Sequence, residues 1–163
     1  MTETYEMTFK LMDKAFHNFE KAMPSKPEMI ELSFGLAYRY KEKNIYQAII
    51  QKLARVLSLI KAAHILQNNG FFQEQAILQR AIDETNEDIL FLAYAVTNDK
   101  ITELHEKFLE YFWEEEIDES GSMMDSKQNR GMVPRKKIRA YIASIEAPST
   151  DPELFGVRVN LPQ

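Results

Sequence analysis

Residues 45–66 read IYQAIIQKLARVLSLIKAAHIL, and this stretch carries apolar side chains at helical spacing. One stripe contains Ile45, Ile49, Val56, Leu59, Ala63 and Leu66, and the stripe beside it contains Tyr46, Ile50, Leu53, Leu57, Ile60 and His64. Two adjacent stripes form an apolar face that is wider than a single neighbour would cover. The stretch therefore predicts a long helix that packs against more than one other helix.

A four-and-three spacing of apolar residues also precedes this stretch. Residues 5–23 predict a first helix, which Pro24 and Pro27 end because proline disfavours helical dihedral angles in the residue before it. A second helical region is predicted to start near Glu28, with breaks expected around Gly35 or within the polar stretch 41–44.

The pattern continues after the stretch. Gly70 supplies a helix stop, and residues 71–96 predict the next helix. A fourth long helix follows a short turn and runs to about Ile117, and a short basic helix is predicted over residues 134–145. Short connections between the middle helices favour antiparallel neighbours.

The expected fold class is therefore all-α, an antiparallel bundle of four to five helices. Residues 1–146 are expected to form one domain, with a mobile loop at about 119–133 where Ser, Gly, Met and Asp occur without a period. Residues 147–163 contain three prolines and are expected to be an irregular tail, which is a candidate truncation point.

Composition limits the classes of function. The chain has 163 residues, a net charge of −5 and no cysteine, which excludes disulfides, thiolate metal sites and a cysteine nucleophile. The negative charge argues against a whole-surface attraction to nucleic acid. Since no apolar run approaches the roughly 20 residues of a membrane span, we expect no membrane association and a cytoplasmic location.

A first candidate site is polar and lies on the helix over residues 71–96. Arg80 and Glu84 are four residues apart, as are Glu84 and Asp88, so their side chains can meet on one helix face. With Glu87 and the nearby His64 they form a candidate polar site between helices. The alternatives are a solvated helix face and, for His64, a core or interface histidine.

A second candidate is a basic patch that consists of Arg130, Arg135, Lys136, Lys137 and Arg139. An acidic helix end over residues 110–119 precedes it, and the two clusters could pair within one chain or across a dimer. They could equally be independent solvated patches. Phosphate contact by the basic patch stays open but is not favoured, because only one aromatic residue is nearby.

Several common motifs for metal binding, hydrolysis and phosphate binding are missing from the sequence. None of the three histidines has a glutamate three residues before it, so the Glu-x-x-His pair of helical di-metal sites is absent. Neither Gly-x-Ser-x-Gly nor a glycine-rich phosphate loop occurs. We therefore predict no metal and no cofactor, and the chain shows no complete catalytic motif.

A recognisable order of residues begins at the predicted helix stop and continues along the next helix: Gly70, Leu78, Arg80, Glu84 and the apolar run 89–92. In this order the chain resembles bacterial helical proteins related to the HEPN superfamily, over roughly residues 45–112. The resemblance implies a helical bundle, commonly dimeric, that in some members is an RNA-cleaving unit of a defence or toxin system. The signature of active HEPN ribonucleases is an arginine and a histidine with four to six residues between them, and no arginine here has that spacing. The nuclease residues therefore do not carry over.

Three functions are compatible with the sequence. The favoured one is a non-catalytic helical binding or assembly module of a bacterial cytoplasmic protein, homodimeric through helix packing and open to a further protein partner. The second is a HEPN-type RNA-directed nuclease or toxin that uses Arg80 and Glu84 in a cleft. The third is a small-molecule sensor with a cavity lined by Met and Phe. An exposed apolar patch, a polar cleft or a closed apolar cavity would distinguish them.

Overall fold

The computed structural model describes residues 2–32, 35–40, 42–113 and 131–146, and these ranges hold five helices and one β-hairpin. The elements are α1 (Thr2–Ala22), β1 (Glu28–Leu32), β2 (Gly35–Arg39), α2 (Ile45–Asn68), α3 (Phe72–Thr97), α4 (Glu103–Trp113) and α5 (Arg135–Glu146). The predicted all-α bundle is confirmed. The loop predicted at 119–133 lies mostly outside the described residues, as does the tail at 147–163. Within the described ranges, no helix combines the length and apolar character needed to cross a bilayer.

An α2–α3 hairpin is the centre of the fold. At the start of α2, the Asn44 side chain accepts from the Gln47 N–H at 3.1 Å, and the Gln47 side chain accepts from the Asn44 N–H at 3.2 Å. This reciprocal capping box satisfies two backbone donors at the helix end. At the other end Gly70 has a φ of 81°, which lets the chain reverse before α3 begins.

The core lies where α4 and α5 cover the end of this hairpin that contains the start of α2 and the end of α3. Phe91 of α3 is fully buried, and its ring centroid lies 5.6 Å from that of Phe108 and 5.2 Å from that of Tyr141. The buried cluster consists of Ile45, Ala48, Ile49, Phe91, Leu92, Ala95, Phe108, Val133, Ile138 and Ile142. We call this half of the molecule the closed end.

Helix α1 packs along α2, and its N-terminal half lies at the opposite end of the molecule. Its Asp13 carboxylate accepts from Lys61 Nζ at 2.7 and 2.9 Å. The rings of Tyr5 and Phe9 lie 4.7 and 5.4 Å from the ring of His64. Residue numbers therefore rise along α1 as they fall along α2, so the two helices are antiparallel and the N-terminal half of α1 lies beside the last turns of α2.

The helical region predicted from Glu28 is wrong, because residues 28–32 and 35–39 pair as two antiparallel β-strands. Met29 pairs with Tyr38 and Ile30 with Ala37 in the register of this hairpin. The chain cannot continue as a helix through Gly35, whose φ of 134° lies far from helical values. Pro27 and Gly35 leave only seven residues between them, which is too few for a stable helix in water.

Candidate functional site: a buried ion-pair junction

Asp88 lies at the meeting point of α2, α3 and α5, and only 1% of it is exposed. Its Oδ2 accepts from Lys52 Nζ at 2.7 Å. Arg135 of α5 donates from Nη1 to Oδ1 and from Nη2 to Oδ2, the latter at 3.3 Å. A buried carboxylate is costly unless it is paired, and here both of its oxygens are engaged by cations.

We call the cluster of Asp88, Lys52 and Arg135 the junction. Lys52 also connects it to α4. Its Nζ lies 5.5 Å from the ring centroid of Phe108 and 5.1 Å from that of Phe112, which is within the range of cation–π contact. The ammonium is therefore held between one carboxylate and two aromatic rings. This arrangement joins α2, α3 and α4 through a single side chain.

Helix α5 is fixed to α3 by two arginines. Besides its bonds to Asp88, Arg135 Nη1 donates to the backbone carbonyl of Glu84 at 2.9 Å. Arg139, one turn further along α5, donates from Nε to Oε1 of Glu87 at 2.8 Å. Because these contacts are four residues apart on α5, they set the position of that helix along α3.

The two candidate sites predicted from the sequence, the polar set and the basic patch, therefore overlap in the structure. Glu87 and Asp88 of the polar set bind Arg135 and Arg139 of the basic patch. The pairing of the basic patch with residues 110–119, which the sequence left open, falls mostly outside the described residues. Among the described residues, α3 supplies acidic partners for these two arginines. Lys136 and Lys137 are exposed, and Arg130 lies outside the described residues.

The remaining members of the polar set lie elsewhere. Arg80, with 84% of its side chain exposed, donates from Nε to Oε1 of Glu84 at 2.9 Å, and this hydrogen bond lowers the pKa of the Glu84 carboxyl. This pair is a solvated contact along one face of α3. His64 faces α1, and its Nε2 lies 3.0 Å from the side-chain amide of Asn68. The structure therefore does not place His64 in the junction.

Lys52 belongs to the site, although it was not among the residues predicted from the sequence. A signal was present, because Lys52 stands in the first apolar stripe of α2, between Ile49 and Val56, where an apolar residue is expected. A lone cation on a core-facing stripe needs a buried anion. Asp88 is the acidic residue that meets this need.

His105 is a second buried polar group at the closed end. Its Nδ1 accepts from the Thr102 N–H at 3.1 Å, so the proton of the neutral imidazole lies on Nε2. Its ring stacks on Phe91 with the centroids 4.0 Å apart. Burial lowers the pKa of His105, because a charged imidazolium would be poorly solvated there. His105 is therefore a neutral cap at the start of α4.

The junction joins α2, α3, α4 and α5 through ion pairs and ring contacts. Asp88 has no free oxygen, and the cations around it are occupied by carboxylates, a carbonyl and aromatic rings. Over the described ranges, no three His, Asp or Glu side chains converge as metal ligands. An open pocket of about 350 Å³ lies beside Lys43, Glu110, Tyr111 and Trp113, and its lining mixes charged and aromatic groups.

Comparisons of the chain with protein-family models, with curated proteins and with solved structures found no match.

Proposed function

We propose that this chain is a non-catalytic assembly module that forms a homodimer through apolar helix surfaces. The observation that carries the proposal is a group of apolar side chains, each more than half exposed, on α1 and at the end of the α2–α3 hairpin away from the closed end. We call them the distal surface: Met7, Leu11, Ile65, Phe71, Phe72 and Ile77. Groups of exposed apolar residues of this kind mark interaction sites.

The packing of α1 explains why these residues share one end of the molecule. Ile65 and Phe71 flank the turn between α2 and α3, and Phe72 and Ile77 belong to the first turns of α3. The contact of His64 with Tyr5 and Phe9 brings the N-terminal half of α1 to the same end. Met7 and Leu11 are four residues apart on this half, so they lie on one face of α1.

The composition of the distal surface favours a second copy of the chain as the partner. Its six members are two Phe, two Ile, one Met and one Leu. Homodimer interfaces are more apolar than transient interfaces between different proteins, and charged residues are depleted at their centres. Two copies would bury the same six side chains reciprocally across a two-fold axis.

The closed end supports the non-catalytic part of the proposal. At the junction, Asp88 is paired with Lys52 and Arg135 of neighbouring helices. Arg80 with Glu84 forms a pair on the helix surface instead of a cleft. The buried junction keeps α3 and α5 in register. Because these helices are held in register, the distal surface belongs to a rigid arrangement of helices.

Sedimentation velocity at low protein concentration tests the proposal. The wild-type chain is expected to sediment as a dimer, and the Phe72→Ser/Ile77→Ser variant as a monomer with an unchanged helical circular-dichroism spectrum. Met132→Ser is the matched control, because Met132 is equally exposed but precedes α5 outside the distal surface. A wild-type monomer, or RNA cleavage that is lost in Arg80→Ala, would contradict the proposal.

A further inference from the structure

The β-hairpin is fixed firmly at its root. Gln47 is fully buried at the start of α2, and its Nε2 donates to Ser25 Oγ at 2.8 Å. The Ser25 hydroxyl in turn donates to Oε2 of Glu42 at 3.3 Å. Ser25 precedes β1 and Glu42 follows β2, so one buried side chain of α2 holds both ends of the hairpin segment.

Above this root the hairpin carries exposed apolar side chains. Met29 of β1 and Leu36 and Tyr38 of β2 are each more than half exposed. Met29 pairs directly with Tyr38, and Leu36 lies two residues before Tyr38, so all three share one face of the sheet. A two-stranded hairpin is marginally stable alone in water. Among the described residues, no further strand pairs with either outer edge of this hairpin.

The two edges of the hairpin differ in charge, and this difference indicates which edge can pair with a second copy of the chain. Strand β1 contains Glu28 and Glu31, whereas β2 contains no acidic residue. Pairing of β1 with β1 of a second copy would bring four glutamates onto adjacent strands, which lie about 4.8 Å apart. Pairing of β2 with β2 would place the two acidic strands at the outside of the sheet, with both β2 strands between them.

The residue pattern of β2 also suits pairing with itself. In an antiparallel arrangement centred on Ala37, Leu36 of each copy lies opposite Tyr38 of the other. Aromatic–aliphatic cross-strand pairs of this type stabilise sheets. The pairs would extend the exposed face that Met29 and Tyr38 already form within each hairpin.

We propose that the β2 edge pairs antiparallel with β2 of a second copy, centred on Ala37, to form a four-stranded sheet in the order β1–β2–β2–β1. This interface is separate from the distal surface and does not depend on it. With only five residues in each strand it buries less than a standard interface, so it is the weaker of the two associations. A chain with both interfaces can associate beyond a dimer.

A disulfide at the centre of the proposed sheet gives a direct test, because the chain has no cysteine of its own. In Ala37→Cys the two thiols would lie opposite each other, with Cα atoms about 4.5–5.5 Å apart. This spacing suits a disulfide. Ala37→Cys is therefore expected to give a covalent dimer on mild oxidation, at least ten times faster than Gln51→Cys, an exposed position on α2 that reports random collision.

Ile30→Cys is the matched control, because Ile30 is the β1 residue that pairs with Ala37 within the hairpin. It is expected to cross-link no faster than Gln51→Cys. Faster cross-linking of Ile30→Cys would show that β1 is the paired edge and overturn the proposal. Preferential cross-linking between Ala37→Cys and Ile30→Cys chains would show head-to-tail pairing and also overturn it, as would an Ala37→Cys rate equal to that of Gln51→Cys.

The experiment is repeated in the Phe72→Ser/Ile77→Ser background, which separates the two associations. Rapid cross-linking of Ala37→Cys is expected there too, even if the distal surface proves not to be an interface. In the same background without cysteines, which is monomeric at low protein concentration, we expect a dimer to form at high protein concentration. Tyr38→Lys should abolish this dimer and Met29→Lys should retain it. Equal effects of these two lysine substitutions would contradict pairing through β2.

Discussion

Two phenylalanines of α3 show the contrast between the halves of this molecule. Phe91 is 0% exposed and touches rings from α4 and α5, whereas Phe72, about five turns earlier in the same helix, is 64% exposed. Both residues belong to a helix with a continuing apolar pattern. The comparison shows that helical periodicity identifies the apolar face of a helix. It does not show whether another part of the same chain packs against that face.

Removing each phenylalanine is the strongest way to test this contrast. Phe91→Ala should lower the free energy of unfolding by about 3–5 kcal/mol, because it leaves a cavity in the core. Phe72→Ala should leave the stability of the monomer nearly unchanged, as its ring is already largely in water. Urea denaturation at low protein concentration measures both. A similar loss for the two variants would contradict the division into a closed and a distal end.

The second largest effect is expected at the ion-pair junction. Asp88→Asn leaves Lys52 and Arg135 without their shared carboxylate, and removal of one partner from a buried pair typically costs about 3 kcal/mol. Glu103→Gln is the control, because its pair with Lys107 lies on the surface of α4 and should change the urea midpoint little. If both variants had equal stability, the junction would not be what fixes the helices at the closed end.

A smaller effect is expected at the root of the hairpin. Gln47→Ala removes half of the capping box and the bond to Ser25, so it should cost about 1 kcal/mol, the usual cost of a lost helix cap. Hydrogen exchange should quicken in the first turn of α2 and in β1 and β2, but not in α3. Gln51→Ala, one turn later and exposed, should leave exchange unchanged. Faster exchange confined to α2 would show that the hairpin is held by other contacts.

The smallest expected effect is a pH dependence at the closed end. The pKa of His105 is lowered by burial, so the unfolded chain binds the proton more readily than the folded chain does. Stability should therefore be full above the unfolded pKa of about 6.5 and should decrease as the pH falls below it. His105→Gln should flatten this part of the urea-midpoint profile. A profile unchanged in His105→Gln would refute the assignment.

The sequence predicted the helices well because each has its own periodic signal and clear end signals. Gly70 and Pro24 stop helices where expected, and the basic segment at 134–145 is helix α5. The hairpin was missed because its signal is short and its glutamates and leucines suit helices equally well. Its strands depend on the root contacts around Gln47, which join residues 22 positions apart and have no local sequence pattern.

The candidate site could be predicted only in part for a similar reason. Spacing along α3 grouped Arg80 with Glu84 and Asp88 correctly on one helix, but it could not tell which of them faces another helix. That choice depends on where α5 lies, and α5 is 47 residues away from Asp88 along the chain. A cation on an apolar stripe, as at Lys52, was the one local indication of a buried charge.

Helix α3 has 26 residues and connects the two halves without a break, over about 39 Å. Each residue of an α-helix advances the side chains by about 100° around the axis. One residue inserted between Leu78 and Glu84 would therefore rotate Phe72 and Ile77 by about 100° relative to Phe91, without altering the composition of either end. The number of residues in this helix thus sets the angle between the apolar side chains at its two ends. An insertion of about seven residues, close to two full turns, would restore this angle.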